Sequence, residues 1–184
     1  MPEMLNQLRL DHINYVRLLN LLEVDILALE SGEQADYLRM KDIMKYMINY
    51  PDAFHHPCEE ILFDKLHHLG KDDAATVQQL RAEHATLGAL GQKLSELLDI
   101  AVAGQIVSKE ELIKSATEYK DLLRRHLATE ERKIFPLIES SLSAADWEEA
   151  RADSSDVSDP IFSGPVGEEY RRLFDSIASR ERAG

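Results

Sequence analysis

Apolar residues recur at intervals of three and four along most of the chain, the spacing that places side chains on one face of an α-helix. Four such stretches occur, beginning near residues 3, 36, 73 and 108, and short polar segments separate them. Each is roughly 30 residues long, which is typical of the helices of a bundle. The pattern therefore predicts an all-α fold, an up-down four-helix bundle.

Local signals support these boundaries. Ser31-Gly32 ends the first stretch, and Ser108 with Glu111 forms a predicted capping box at the start of the fourth. Pro51 and Pro57 interrupt the second stretch, and each removes a backbone donor, so a bend is expected there. Two shorter helices remain an alternative for this segment.

The last 45 residues have a different character. Ser143 is the predicted cap of a short helix, residues 153–167 are rich in Asp, Ser, Pro and Gly, and residues 168–182 form a final amphipathic pattern. We expect the bundle to occupy residues 1–142 and residues 143–184 to be a helical appendage packed on the same domain.

Composition narrows the classes of function. The 184 residues suit one domain, and the net charge of −13 argues against a nucleic-acid partner while mildly attracting cations. No signal peptide is recognisable at the start, and no apolar stretch approaches the roughly 20 residues that span a bilayer. Cys58 is the single cysteine, so no internal disulfide forms and a cytoplasmic protein is expected.

Histidine and glutamate recur in both halves of the chain. Each half has one histidine in an apolar seam and, 44 or 42 residues later, a second histidine followed by glutamate at the fourth position. Residues four apart share a helix face. The candidate metal ligands are His12, His56, Glu60, His84, His126 and Glu130.

Comparison of the halves selects between neighbouring glutamates. The third position after the second histidine is Glu59 in one half and Thr129 in the other, whereas the fourth is glutamate in both. Glu59 and Glu131 are therefore expected to face solvent or to lie around the ligands.

Four imidazoles and two carboxylates suffice for two metal ions, with the carboxylates bridging. Buried carboxylates without a cation would cost several kcal/mol each. Ligands of this kind without thiolate suit iron or manganese, with zinc as a substitute. Neither the Glu-x-x-His pattern of ferritins nor the His-Glu-x-x-His motif of zinc proteases is present.

Several neighbours have two interpretations. Tyr15 and Tyr119 could contact a bound small molecule or be ordinary core residues. His55 adjoins His56 but points away on an ideal helix, so it is expected beside the ligands or at the surface. Cys58 is interpreted as a small buried filler.

These motifs resemble the hemerythrin-like (HHE cation-binding) family over roughly residues 5–140, in its stand-alone bacterial form. The resemblance implies a non-haem di-iron centre, bridged by Glu60, Glu130 and an oxo or hydroxo group. Oxygen-carrying hemerythrins have a fifth histidine on the third helix, where this chain has Leu80 and Gly88. Its absence favours reactive chemistry over reversible oxygen carriage.

The predicted function is to bind or reduce O2, H2O2 or NO in oxidative or nitrosative stress defence or iron homeostasis. The expected partner is a small diatomic or peroxide ligand. No nucleic acid or membrane is expected to bind, and whether the protein forms a homodimer is left open. Two alternatives remain, a non-catalytic iron or O2 binding or sensing module and a di-iron oxygenase or oxidase acting on a small organic substrate. Whether the chain is an enzyme, as a di-iron oxidoreductase, is also left open.

Overall fold

A computed structural model describes residues 3–71, 73–154, 159–162, 166 and 168–181. This part of the chain contains helices and no strand, which confirms the all-α prediction. The helices in chain order are α1 Glu3–Ser31, α2 Tyr37–Tyr50, α3 His56–His68, α4 Ala74–Val102, α5 Lys109–Thr129, α6 Phe135–Ser141, α7 Ala144–Asp153 and α8 Arg171–Glu181. Two π-helical turns, Pro51–His55 and Glu130–Ile134, join α2 to α3 and α5 to α6, and a 3-10 turn, Glu168–Tyr170, precedes α8.

Four long rods form the bundle: α1, the continuous segment α2–α3, α4, and the continuous segment α5–α6. Helix α1 packs against α2 and α5, and α4 packs against the same two helices. Asp36, Asp73 and Ser108 cap α2, α4 and α5 with their side chains. The Ser108 cap is confirmed, while the Glu111 side chain lies 3.6 Å from the Lys93 ammonium.

The bend expected near Pro51 and Pro57 takes the form of a π-helical turn. Pro57 lies in the first turn of α3, two residues after the π-helical turn ends at His55. Pro136 lies at the matching place in α6, two residues after the second π-helical turn ends at Ile134. Proline donates no backbone hydrogen bond, and a widened turn accommodates the interrupted ladder without breaking the helix.

Two apolar cores fill the bundle, and a polar layer separates them. Along α1, Leu8 belongs to one core and Tyr15 to the other, with His12 between them. Along α4, Leu80 and Leu87 flank His84 in the same way. The histidines therefore lie in one cross-section of the bundle.

The C-terminal helices pack on the bundle. Helix α7 contacts α3, and α8 contacts α2. The Arg172 guanidinium pairs with both Asp42 carboxylate oxygens at 2.5 and 2.6 Å, and the Tyr46 hydroxyl donates to Asp159 at 2.7 Å. The predicted irregular segment 153–167 falls largely outside the described residues. Among the helices that are described, none combines the length and apolar character needed to cross a bilayer.

Candidate metal centre

Six side chains converge between the two apolar cores. They come from all four rods of the bundle and form two overlapping groups that share one carboxylate. Five are buried and His84 is half-buried. The six residues are His12, His55, Glu59, His84, His126 and Glu130.

The four imidazoles form two pairs whose Nε2 atoms face each other. His12 Nε2 lies 3.1 Å from His55 Nε2, and His84 Nε2 lies 3.0 Å from His126 Nε2. One pair comes from α1 and the first π-helical turn, the other from α4 and α5. This matches the expected contribution of two histidines from each half of the chain.

Each carboxylate spans both histidine pairs. One Glu59 oxygen lies 3.1 Å from His55 Nε2, while the other lies 3.4 Å from His84 Nε2. Glu130 is arranged conversely, with one oxygen 3.1 Å from His126 Nε2 and the other 3.4 Å from His12 Nε2. Both carboxylates are therefore placed to bridge two positions, one beside each pair.

These oxygens lack donors within the described part of the chain. All four carboxylate oxygens of Glu59 and Glu130 are buried, and none accepts a hydrogen bond of acceptable geometry. Two unsatisfied buried carboxylates would be costly. Imidazole nitrogens and unpaired carboxylate oxygens that surround a common space fit a pair of metal cations.

Carboxylates behind the histidines fix their orientation. The Nδ1 atoms of His12, His55 and His126 lie 2.9–3.0 Å from carboxylate oxygens of Glu131, Asp11 and Glu83, respectively. A neutral imidazole that donates from Nδ1 presents an unprotonated Nε2, the form that binds a metal. Glu131 thus lies beside a ligand, one of the two locations expected for it.

The charges in the cluster shift the pKa values of its side chains. Burial disfavours an imidazolium, yet Glu59 and Asp11 raise the pKa of His55 to about 10. Burial also lowers the pKa of His126, but the adjacent Glu130 raises it to about 9. The surrounding imidazoles, opposing the effect of burial, hold the pKa of Glu59 well below its usual range. Burial and the nearby Glu59, by contrast, raise the pKa of Glu130.

The structure corrects the predicted ligand pair His56 and Glu60 by one residue. Glu60 lies at the surface, 39% exposed, and pairs with Arg81 at 2.6 Å. His56 stacks on His84, with ring centroids 4.0 Å apart, and its Nδ1 lies 2.9 Å from Asp52. His55 and Glu59, predicted to lie outside the ligand set, face the cluster instead.

The sequence contains a signal that distinguishes the pair facing the cluster. The residues three and four positions after Glu59 are Leu62 and Phe63, both buried, so Glu59 continues the apolar seam of α3. The same offsets from Glu60 include Asp64, which is exposed. The separation between His12 and His55 is 43 residues, which is also nearer to the 42 of the second half.

A small cavity adjoins the cluster. Its volume is about 20 Å³, close to the room that one water molecule needs. Tyr15 and Tyr119 line it together with apolar side chains and three imidazoles, those of His55, His56 and His126. Both tyrosines are thus near the site, and burial raises the pKa of each phenol.

Cys58 lies apart from the cluster. It is half-buried and packs against the core that contains Phe63. Burial raises the pKa of its thiol, with a further contribution from Asp11 and Glu59. A protonated thiol is a poor nucleophile and metal ligand, in keeping with the expected role as a filler.

Comparison with known proteins identifies the family. The hemerythrin HHE cation-binding domain family matches residues 3–138, which include all six converging residues and both π-helical turns. No match was found among curated proteins or solved structures. The matched segment covers most of the chain, and the chain belongs to the hemerythrin HHE cation-binding family.

Proposed function

We propose that the cluster holds two iron ions and that the protein binds or reduces small oxidants, O2, H2O2 or NO, in stress defence or iron homeostasis. The observation that carries the proposal is the position of Glu59 and Glu130. Each places one oxygen toward the His12–His55 pair and the other toward the His84–His126 pair. Two carboxylates shared in this way fit two adjacent cations.

The donor set suits iron or manganese. It consists of imidazole nitrogen and carboxylate oxygen, and Cys58 is not a member. Iron and manganese accept such ligands readily, and zinc is a substitute without redox chemistry. The match to a cation-binding family supports a metal in general, whereas the identity and number of ions belong to our proposal.

The ligand count leaves room for an exogenous molecule. Two nitrogens and two carboxylate oxygens face each proposed position, fewer than the six ligands of an octahedral ion. Gly88 stands one turn after His84, and this side of α4 lines the cavity instead of contributing a fifth histidine. An open position beside a cavity suits a reactive centre.

The size of the cavity favours a small oxidant. At about 20 Å³ it has room for a molecule of about the size of one water. An oxygenase would need room for an organic substrate beside the cluster. An open depression of about 600 Å³ also reaches His12 from the surface, so the preference for a small oxidant over an organic substrate applies to the enclosed cavity.

A pair of redox-active ions would supply two electrons, the number that reduces one peroxide to two waters with two protons. The protein contributes the surroundings. Asp11, Glu83 and Glu131 hold imidazoles with Nε2 directed inward. Phe135 stacks on His12, with ring centroids 5.0 Å apart, and Leu127 lines the cavity, so apolar surface limits the access of water.

The test is to expose the reduced, iron-loaded protein separately to O2, H2O2 and NO and to follow optical spectra and consumption of the oxidant. We expect repeated turnover of peroxide or NO when reductant is supplied. A stable, reversible O2 adduct without turnover of any oxidant would contradict the proposal and indicate a binding or sensing module.

A further inference from the structure

The Tyr15 hydroxyl is a buried polar group without a partner. Tyr15 is 1% exposed, and its hydroxyl makes no hydrogen bond within the described residues. Buried hydroxyl groups are nearly always paired, and each exception calls for an explanation. The other exceptions near the cluster are the carboxylate oxygens proposed to bind metal.

Neighbouring tyrosines show how this bundle normally satisfies a buried phenol. The Tyr46 hydroxyl donates to Asp159 at 2.7 Å. The Tyr50 hydroxyl points to Asp11 at a longer 3.5 Å. Tyr15 packs edge-on against Tyr46 with ring centroids 6.3 Å apart, yet its hydroxyl is directed to neither acidic residue. Of these three tyrosines, only Tyr15 has a hydroxyl without a partner among the described residues.

Tyr15 lies beside the imidazoles and lines the same cavity. It follows His12 by three residues on α1, and its ring centroid is 5.1 Å from that of His55. It lines the cavity together with apolar side chains such as Leu87 and Leu123. A ligand in this cavity would lie beside the Tyr15 side chain, whose hydroxyl has no partner among the described residues.

We propose that the Tyr15 hydroxyl donates a hydrogen bond to a small, acceptor-bearing ligand in the cavity, of the class of peroxide, nitric oxide or azide. The inference rests on the proposed function, because such a ligand needs a metal ion to bind beside the imidazoles. Beyond the proposed function, the inference names Tyr15 as the residue that recognises the ligand. Donation to a ligand atom would satisfy the hydroxyl that the protein leaves unpaired.

The test compares azide binding to iron-loaded wild type, Tyr15→Phe and Tyr46→Phe by optical titration, with iron content measured in each. Tyr46→Phe is the matched control, since it removes a buried hydroxyl that donates to Asp159. Tyr46 is not among the described residues that line the cavity. We expect about tenfold weaker azide binding for Tyr15→Phe and a change below about twofold for Tyr46→Phe.

Equal azide affinity in Tyr15→Phe and wild type, at equal iron content, would overturn the inference and leave the proposed function intact. So would a phenolate-to-iron absorption band that disappears in Tyr15→Phe, because Tyr15 would then bind the metal itself. Iron-loaded wild type that binds no azide would overturn both proposals.

A measurement on wild type covers the case in which Tyr15→Phe fails to fold or to load iron. The antisymmetric stretch of bound azide should shift between H2O and D2O, because an exchangeable hydrogen contacts the ligand. An unshifted band would overturn the inference. In a folded Tyr15→Phe variant, the shift should shrink.

Discussion

At the residue scale, two adjacent glutamates have opposite environments. Glu59 is 0% exposed among four imidazoles, and Glu60 pairs with Arg81 at the surface. A surface ion pair of this kind contributes at most about 1 kcal/mol. Removing the Glu59 charge, by contrast, would remove a proposed bridge between two cations.

The two positions form a matched pair of variants. We expect Glu59→Gln to lose at least one of the two metal ions, while Glu60→Gln retains both. The substitutions are isosteric, so metal analysis of the purified variants reports the carboxylate charge. Full metal content in Glu59→Gln, or loss of metal in Glu60→Gln, would contradict the assignment.

Metal uptake should also depend on pH. The metal-free protein holds protons on His55 and His126, whose pKa values are about 10 and about 9, and bound histidines must be neutral. Binding therefore releases these two protons across pH 7 to 8.5, and affinity should rise by up to about hundredfold for each unit of pH.

Manganese(II) titration by calorimetry, in two buffers with different heats of ionisation, measures the proton release directly. We expect about two protons per metal-loaded protein from these two residues. An affinity that stays constant between pH 7 and 8.5 would show that the imidazoles are already neutral in the metal-free protein.

Four of the six converging residues could be predicted from sequence because each lies alone in an apolar seam. His12, His84, His126 and Glu130 follow directly from helical spacing. The other pair could not be fixed by comparing the halves, since two overlapping His-x-x-x-Glu pairs occur at residues 55–60. Burial on α3 decides between them, and that depends on the apolar residues that follow.

At the element scale, the π-helical turns occur at corresponding places in the two halves. One ends at His55 and the other begins at Glu130, so each includes a proposed ligand. The helices themselves were predictable from periodicity. The widened turns were not, because a proline indicates an interruption without specifying whether the chain bends, breaks or widens.

Helix α4 offers a contrast between two glycines. A Cβ atom at Gly88 would meet nothing within 4 Å, whereas one at Gly91 would lie 3.2 Å from Ile48 and 3.4 Å from Tyr119. Glycine within a helix costs roughly 0.5–1 kcal/mol relative to alanine. Replacing a helical glycine by alanine should therefore stabilise the helix. The close packing at Gly91 opposes this gain, whereas the open space at Gly88 does not.

We therefore expect Gly88→Ala to raise the free energy of unfolding by about 0.5–1 kcal/mol and Gly91→Ala to yield a smaller gain or a loss. Thermal or urea denaturation of the metal-free variants provides the measurement. A Gly91→Ala variant at least as stable as Gly88→Ala would show that Ile48 and Tyr119 yield without cost.

At the scale of the whole molecule, the bundle encloses a polar layer between two apolar cores, and the C-terminal segment adds to one of them. Leu173 and Ile177 of α8 belong to the larger core, alongside residues of α1 and α2. The Asp42–Arg172 pair lies at the edge of this contact. These contacts support our proposal that residues 143–184 pack as an appendage on residues 1–142, while the cytoplasmic location stays a prediction.

Two neighbouring residues of α8 test this packing. Leu173 is fully buried, and Phe174 is exposed over 37% of its surface. We expect Leu173→Ala to lower the free energy of unfolding by about 2–4 kcal/mol and Phe174→Ala by less than about 1 kcal/mol. Equal stability of the Leu173→Ala variant and wild type would indicate that α8 does not pack on the bundle in solution.

We propose a two-metal site built by two histidine pairs and two shared carboxylates. Its direct test is anaerobic titration of the metal-free protein with iron(II), followed by optical spectra and elemental analysis. We expect saturation at two iron ions per chain. Saturation at one ion, or no binding above the level of a variant that lacks Glu59 and Glu130, would contradict it.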